Sequence, residues 1–276
     1  MVSLMSAELG RVLAVGAHPD DIEFIAGGTL ALMFKKGFKI HIATVCSGNM
    51  GSMTLGPEEI ADVRFREATE SAKLIDASYE TLGESDLKLT FDNATRSKVV
   101  ELVRRTRPDI VLTQSPQDYM PDHQITADLV WDASFNAQVP NYSTSQPDPA
   151  KPTKKIPYLY YGDGIQGLDR FGSRMDLEFY LDISSVIEIK EKMLKKHESQ
   201  RSWLKTQHGM DHYILTMRKW NAERGREVNV GYAEGFIQHK GHPFPTTNIL
   251  GTIFRILSKG RLPRAIEMPA PNLSDC

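Results

Sequence analysis

The sequence predicts an α/β protein with a Rossmann-like, open and mostly parallel sheet flanked by helices. Short apolar segments typical of buried strands recur along the chain, and most are followed by a segment with helical spacing. Units that alternate in this way form parallel strands joined by crossover helices. The chain has 276 residues, of which 41% are hydrophobic and 25% are charged, so its composition is that of an ordinary globular protein with one large core.

The first half of the chain supplies these units in order. Apolar runs predict strands at RVLAVGA, KIHIATVCS and DIVLTQSP, and helical spacing predicts helices at GGTLALMFKKGF, PEEIADVRFREATESAKLI, ATRSKVVELVRRTRP and HQITADLVWDASF. Gly37 is a stop signal for the first helix, Pro57 lies at the start of the second, and Pro108 ends the third. These elements predict a core at about residues 10–140.

The second half predicts a C-terminal extension of the same domain. Further strands are expected in IPYLYYGDG and GIQGLDRFGSRMDLEFYLDIS, and one long amphipathic helix in VIEIKEKMLKKHESQRSWL. Residues 141–155 are polar and proline-rich, which indicates an exposed loop. We therefore expect a single domain over 1–276, in which 156–276 packs on the core or caps its site.

Composition excludes several classes of function. A formal net charge of -2 argues against a protein whose main function is to bind nucleic acid. The two cysteines form neither a disulfide framework nor a CxxC metal motif, which favours a reducing compartment. No segment approaches the roughly 20 apolar residues that a membrane span needs. The expected location is cytoplasmic, without membrane or nucleic-acid partners.

The segment AHPDD follows the first predicted strand and carries the first candidate site residues. Ligands of an open parallel sheet bind beyond the carboxyl ends of its strands. AHPDD lacks a G-x-G-x-x-G pattern and its aspartates would repel phosphate, which argues against a nucleotide cofactor. Imidazole and carboxylate are Zn²⁺ ligands, so His18 and Asp21, at i and i+3, can hold one metal. Asp20 is then left to take the proton of an attacking water.

A third ligand is expected from PDHQIT, which follows the strand end DIVLTQSP. His123 begins a predicted helix there, and Asp122 beside it is placed to orient an imidazole. His18, Asp21 and His123 thus form a candidate Zn²⁺ site, although such a set accepts other divalent metals. The alternative is that both segments only form turns and helix caps. Their joint occurrence after strand ends favours the metal site.

Six segments in consistent order resemble the LmbE-like, or PIG-L, family of zinc-dependent N-deacetylases. They are AHPDD, GGTLA, VCSGNMG, VRFREA, RPDIVLT and PDHQIT, with HESQ and YAEGF as less specific similarities. The resemblance implies a Rossmann-like fold and hydrolysis of an N-acyl group, usually N-acetyl, on an amino sugar or sugar conjugate. It also implies His18, Asp21 and His123 as zinc ligands, Asp20 as general base, and Arg64 as a residue near the substrate.

At one position the chain departs from the family pattern, which commonly reads His-Pro-Asp-His where this sequence has Met-Pro-Asp-His. Met120 can neither stabilise an oxyanion nor protonate a leaving amine, because a thioether carries no proton. Tyr119 and Asp118 are adjacent candidates for that role. Histidines of later segments are further candidates, with surface or packing roles as the alternative: His208, His212, His239 and His242.

The predicted function is therefore removal of an N-acetyl or other N-acyl group by zinc-activated water. Two alternatives are an amidase acting on a larger acyl group or thiol conjugate, and a metal-retaining binding protein that has lost catalysis. Asn49 in CSGNMGS is a candidate for contact with a sugar, the alternative being a simple turn. The expected partner is a small N-acylated sugar or conjugate. The resemblance also suggests a homo-oligomer, either a trimer or a hexamer.

Overall fold

The computed structural model describes residues 10–201 and 212–259. Its strands are β1 (Arg11–Gly16), β2 (Lys39–Cys46), β3 (Ser78–Glu84), β4 (Ile110–Thr113), β5 (Tyr158–Gly162), β6 (Phe179–Asp182), β7 (Ala233–Gln238) and β8 (Ile256–Leu257). Helices in the described ranges include α1 (Asp21–Lys35), α2 (Pro57–Lys73), α3 (Asn93–Thr106), α4 (Pro121–Asn136), α5 (Ile187–Leu194), α6 (His212–Glu227) and α7 (Ile249–Ile253). The eight strands form one sheet in the order β3-β2-β1-β4-β5-β7-β6-β8.

The first five strands in this order are parallel, which confirms the predicted Rossmann-like sheet. Successive side chains of a strand point to opposite faces. Val12 and Ala14 of β1 accordingly pack in one hydrophobic layer with α1, and Leu13 and Val15 pack in the other with α3 and α4. Both faces of β1 are buried, and its carboxyl end opens at the edge where the site lies.

The last three strands extend the sheet in antiparallel pairings, β5 with β7, β7 with β6, and β6 with β8. This part packs against α1 through the glycines of GGTLA. A Cβ at Gly28 would lie 2.8 Å from Cγ2 of Ile183, and a Cβ at Gly27 would lie 3.3 Å from Cγ of Lys190. The two glycines therefore permit the close approach of the C-terminal half.

Several predicted elements differ from the structure. Helix α1 begins at Asp21 rather than at Gly27, so the paired aspartates belong to its start. The predicted long helix is interrupted: α5 ends at Leu194 and helical residues resume at 198–201. This break lets the buried His197 lie 3.1 Å from Oε1 of Glu23. Strands β3 and β7 were not predicted. No helix within the described ranges is long and apolar enough to cross a membrane.

Candidate metal centre and active-site cavity

The turn between β1 and α1 holds its aspartates in a strained conformation. Asp20 has a φ of 118°, in the left-handed region that side chains rarely adopt. Such conformations cost about 1–3 kcal/mol and persist only where the surroundings hold them. Here the backbone N–H of His18 donates to Oδ2 of Asp21 at 2.7 Å, and Nη2 of Arg64 donates to the carbonyl of Pro19 at 2.5 Å. The turn therefore presents Asp20 and Asp21 in different directions.

Two imidazoles face the carboxylate of Asp21. Nδ1 of His18 lies 3.4 Å from Oδ2, and Nε2 of His123 lies 3.4 Å from Oδ1. One ligand atom from each of the three side chains lies within 4.8 Å of the others, and all three residues are buried. The structure thus brings together the predicted set of His18, Asp21 and His123.

The outward nitrogens of both imidazoles are bound by carboxylates. Nε2 of His18 lies 3.1 Å from Oδ2 of Asp122, and Nδ1 of His123 lies 2.9 Å from Oδ1 of Asp118. Asp122 therefore orients an imidazole, but that of His18 rather than its chain neighbour, because consecutive helical residues do not face each other. Asp118, which we had considered as a substitute for the missing histidine, instead fixes His123.

This arrangement fits a metal better than a closed ion pair. Metal-bound histidines usually donate their other ring nitrogen to a carboxylate, which fixes the tautomer and the ring orientation. Two imidazoles and a carboxylate are also a typical set of three protein ligands for a catalytic zinc. The donor set of His18, Asp21 and His123 therefore suits Zn²⁺ or a similar divalent ion.

The two adjacent aspartates have pKa values that shift in opposite directions. Burial raises the pKa of Asp20, although the Arg64 guanidinium 3.3 Å away opposes this shift. Burial acts in the same sense on Asp21, but the charges of His123 and His18 outweigh it and lower the pKa of Asp21 well below its usual range. Environments that separate the pKa values of neighbouring carboxyls are typical of acid–base sites.

Two side chains of the same cavity contact the carboxylate of Asp20. Nη2 of Arg64 approaches its Oδ1, and the hydroxyl of Tyr213 donates to its Oδ2. Tyr213 comes from α6, far along the chain, and packs its ring edge-on against Phe24 at 4.7 Å between centroids. Tyr213 was not predicted as a site residue, because a lone tyrosine carries no local motif that would reveal a contact over such a separation.

These groups line a cavity of about 680 Å³. Its described lining residues are His18, Asp20, Asp21, Phe24, Met50, Gly51, Arg64, Asp86, Leu87, Tyr119, Met120, His123, Ile165, Gln166, Gln200, Tyr213 and Thr216. The predicted residues Arg64, Tyr119 and Met120 are among them. Asp86 and Gln200 were missed as lining residues, although Gln200 belongs to the HESQ segment.

Asn49, a candidate for contact with a sugar, is not among the described lining residues of the cavity. Its Oδ1 accepts from the backbone N–H of Asp86 at 3.0 Å, and its Nδ2 donates to Oγ of Ser85 at 3.0 Å. The side chain therefore ties the turn after β2 to the loop after β3. Met50 and Gly51 of the same turn reach the cavity instead.

The later histidines described by the structure lie elsewhere. Strand β7 runs antiparallel to β5, so its carboxyl end is at the edge of the sheet opposite to the site. His239 follows this end and contacts Tyr161 and Phe244, and His242 is exposed. The structure therefore places His239 in a packing position and His242 at the surface, the roles named as the alternative. His208 lies outside the described residues, and His212 is described only as the first residue of α6.

The fold and the site define an α/β protein with an enzyme-like cavity and a candidate metal centre at the carboxyl edge of a parallel sheet. Residues 13–134 match the PIG-L family, described as GlcNAc-PI de-N-acetylase. This match confirms the resemblance to the PIG-L, or LmbE-like, family that AHPDD and PDHQIT carry.

Similar proteins include two with different activities. The chain is 27% identical over 248 residues to a 4-oxalmesaconate hydratase of Pseudomonas putida, covering 84% of this chain and 90% of the relative. It is 27% identical over 206 residues to a diacetylchitobiose deacetylase of Thermococcus kodakarensis, covering 70% and 71%. The structure of an N,N'-diacetylchitobiose deacetylase from Pyrococcus horikoshii shares its fold, with a TM-score of 0.71 and 24% identity over 88% of this chain and 90% of that one.

Proposed function

We propose that the protein is a metal-dependent hydrolase that removes an N-acetyl or other N-acyl group from an amino sugar or sugar conjugate. One observation carries the proposal. His18, Asp21 and His123 converge as a three-ligand set, while a second carboxylate, Asp20, faces the same cavity outside that set. A site that only bound a metal would have no need of this additional carboxylate. The deacetylase among the similar proteins supports the same reaction class.

Different residues of the cavity would bind the metal and transfer the proton. His18, Asp21 and His123 would hold the divalent ion, most simply Zn²⁺, with Asp122 and Asp118 fixing the imidazoles. A bound ion supplies Lewis acidity, which polarises an amide carbonyl and acidifies an attacking water.

Asp20 is the general base of the proposed reaction. Its carboxylate accepts the proton of the attacking water and then returns it to the nitrogen of the leaving amine. Arg64 and the hydroxyl of Tyr213 hold this carboxylate towards the cavity. This role does not require Met120, which lines the cavity but has no proton to transfer. Tyr119 also lines the cavity, and its hydroxyl can donate to a developing oxyanion.

The test is acetate release by the zinc-loaded protein from a panel of N-acetylated amino sugars and their conjugates. Asp20→Asn is the control, because it keeps the shape of the side chain and the three ligands but removes the base. We expect turnover to fall by about 10²–10⁴-fold in this variant with its zinc content unchanged. Near-normal turnover in Asp20→Asn would refute the role of Asp20, and no release from any compound would refute the deacetylase.

A second candidate is a hydratase. The observation that favours it is the extent of the match to the P. putida hydratase, which spans 84% of this chain and 90% of that relative. Addition of water to a carbon–carbon double bond would use the same metal set and base. The assay is the loss of the ultraviolet absorbance of the conjugated double bond when 4-oxalmesaconate is incubated with the protein. Hydration without acetate release would replace the first proposal by the second.

Asp20, Asp21 and Asp86 line the cavity, and the guanidinium of Arg64 is paired with Asp20. A bound divalent cation would add two positive charges beside these carboxylates, so the net charge of the cavity does not separate an amide from a polycarboxylate substrate. The two assays separate them. The larger-acyl amidase and the binding protein without catalysis remain alternatives that the acetate assay addresses.

A further inference from the structure

The mouth of the cavity is apolar although its floor is charged. Three large side chains line it while remaining well exposed: Met50 at 41%, Leu87 at 67% and Tyr119 at 57%. We refer to these three residues as the apolar mouth. Scattered single apolar residues are common on protein surfaces, but a group of them that lines one cavity marks a binding surface.

Leu87 is held in a conformation that its side chain disfavours. Its φ is 62°, in the left-handed region that glycine and asparagine adopt more easily than leucine. Its backbone N–H donates to Oδ2 of Asp122 at 2.7 Å, which accounts for the backbone geometry. This hydrogen bond does not explain why the residue is a leucine, since asparagine or glycine would adopt the same backbone conformation with less strain. Strain kept at an exposed apolar side chain points to a function of that side chain.

The apolar mouth is fixed relative to the candidate metal centre by carboxylates. The backbone N–H of Met50 donates to Oδ2 of Asp86 at 3.1 Å. Leu87 is bound to the same oxygen of Asp122 that lies 3.1 Å from Nε2 of His18. A substrate group that contacts Met50 and Leu87 would therefore lie at a defined distance from an amide at the metal ligands.

The polar groups of the cavity are largely engaged with each other. Asp86 accepts from the backbone of Gly48 and Met50, Gln200 donates to the carbonyl of Gly51, and Arg64 and Tyr213 are bound to Asp20. The cavity of about 680 Å³ is in the range that accommodates drug-sized ligands, so it has room beyond a single acetamide. The apolar mouth lines part of this space.

We propose that the apolar mouth binds an apolar alkyl or aryl substituent of the N-acylated substrate. The proposal rests on the proposed function and specifies its substrate class. The substituent can be the acyl chain itself or an apolar group linked to the sugar. Both have the same chemistry towards Met50, Leu87 and Tyr119, and two series of compounds distinguish them.

The first experiment measures kcat/KM of the zinc-loaded protein for two series. One series varies the acyl chain on glucosamine from acetyl to hexanoyl, and the other varies the glycoside of N-acetylglucosamine from methyl to hexyl and phenyl. We expect kcat/KM to rise by about tenfold or more along one series, the effect of burying roughly two methylenes. The series that rises identifies the position of the substituent. Flat or falling values along both series would overturn the proposal.

Two variants and a matched control test whether the apolar mouth causes the rise of kcat/KM with an apolar substituent. Leu87→Asn places a residue that tolerates φ of 62° and lacks the apolar surface, so we expect it to fold with an equal or higher Tm. Met50→Gln keeps the length of the side chain but makes it polar. Met53→Gln is the control, because Met53 is 76% exposed and is not among the described lining residues.

We expect Leu87→Asn and Met50→Gln to reduce the preference for the apolar compound by about threefold to tenfold each, and Met53→Gln to leave it unchanged. Equal preference in wild type and in both mouth variants would overturn the assignment.

A binding experiment separates this proposal from the proposed function. Hexyl β-glucoside and methyl β-glucoside contain no amide, so their affinity for the zinc-loaded protein does not depend on hydrolysis. We expect the hexyl compound to bind about tenfold more tightly, with the difference reduced in Leu87→Asn. This result without hydrolysis of any amide would support the apolar mouth and refute the deacetylase. Equal affinity of both glucosides together with a flat acyl series would refute the apolar mouth even if amides are hydrolysed.

Discussion

Two buried carboxylates of this protein, Asp21 and Glu234, differ in their binding partners and in their access to a cavity. The Glu234 cluster is closed: its carboxylate accepts from the backbone N–H of Gly28 and Thr29 at 2.8 and 2.7 Å and from Nζ of Lys190 at 2.6 Å. The Asp21 cluster is open, since its partners are imidazole nitrogens of His18 and His123 that face a cavity.

The difference lies in what neutralises each charge. In the Glu234 cluster a lysine of α5 fills that role and joins the C-terminal half to α1. In the metal-free Asp21 cluster protonated imidazoles balance the charge, and a metal can replace their protons because the imidazole nitrogens face the cavity. We infer that the first cluster stabilises the fold and the second binds a metal.

Lys190→Met should destabilise the protein by about 3–5 kcal/mol, because it leaves the buried charge of Glu234 without its partner. Chemical denaturation measures this free energy of unfolding. The double variant Lys190→Met/Glu234→Gln removes both charges and should recover much of the loss. A loss below about 1 kcal/mol in the single variant would contradict a closed structural ion pair.

Asp118→Asn should weaken Zn²⁺ binding by about 10–100-fold, because Asp118 orients the imidazole of His123. Competition with a chelator of known affinity measures the change. The matched control is Asp163→Asn, which alters a buried carboxylate bound to Trp220 and Arg224 in the C-terminal half. The control should lower stability and leave Zn²⁺ affinity unchanged. Equal losses of affinity in both variants would remove the distinction between the clusters.

Zn²⁺ affinity should fall as the pH is lowered, by about tenfold per pH unit for each proton displaced. Burial opposes protonation of His18, but its bonds with Asp122 and Asp21 raise its pKa to about 10. Below that pH a metal must displace the proton, so acid favours the metal-free form. Asp21 adds no proton near neutrality, because its pKa is lowered. Calorimetric titrations at several pH values measure the slope, and an affinity independent of pH would contradict this electrostatic account.

Met120→Leu should change turnover by less than about tenfold. A swap of similar apolar volume usually costs less than about 1.5 kcal/mol, and neither side chain can transfer a proton. Steady-state kinetics under the conditions of the acetate assay measure the change. A larger loss would show that the sulfur of Met120 takes part in the reaction and that the division of roles proposed for Asp20, Tyr119 and Tyr213 is incomplete.

The parallel half was predictable from the sequence because its signals are local. A continuous apolar run marks each buried strand from β1 to β4 except β3, whose SYETLGE is half-buried and carries a glycine at φ 77°. AHPDD follows β1 directly, and PDHQIT begins a few residues after the end of β4. Since parallel strands end at the same edge, their side chains had to lie close together, and the structure brings them together.

The antiparallel half was less predictable because its organisation depends on distant contacts. The pairing of β7 with β5 reverses the direction of the chain, and no short pattern revealed that His239 therefore lies away from the site. The contact of Tyr213 with Asp20 and that of Lys190 with Glu234 likewise join segments far apart in sequence. Such contacts depend on the packing of α5 and α6, which local periodicity does not encode.

Zinc titration of the metal-free protein, followed by calorimetry, tests the contrast between the two clusters most directly. The account predicts one equivalent of tightly bound Zn²⁺ in wild type and in Asp20→Asn, and loss of that binding in His123→Ala. It also predicts that Lys190→Met, studied under conditions where it remains folded, keeps the site. Tight binding that survives in His123→Ala, or no binding in wild type, would contradict the claim that His18, Asp21 and His123 form a metal centre.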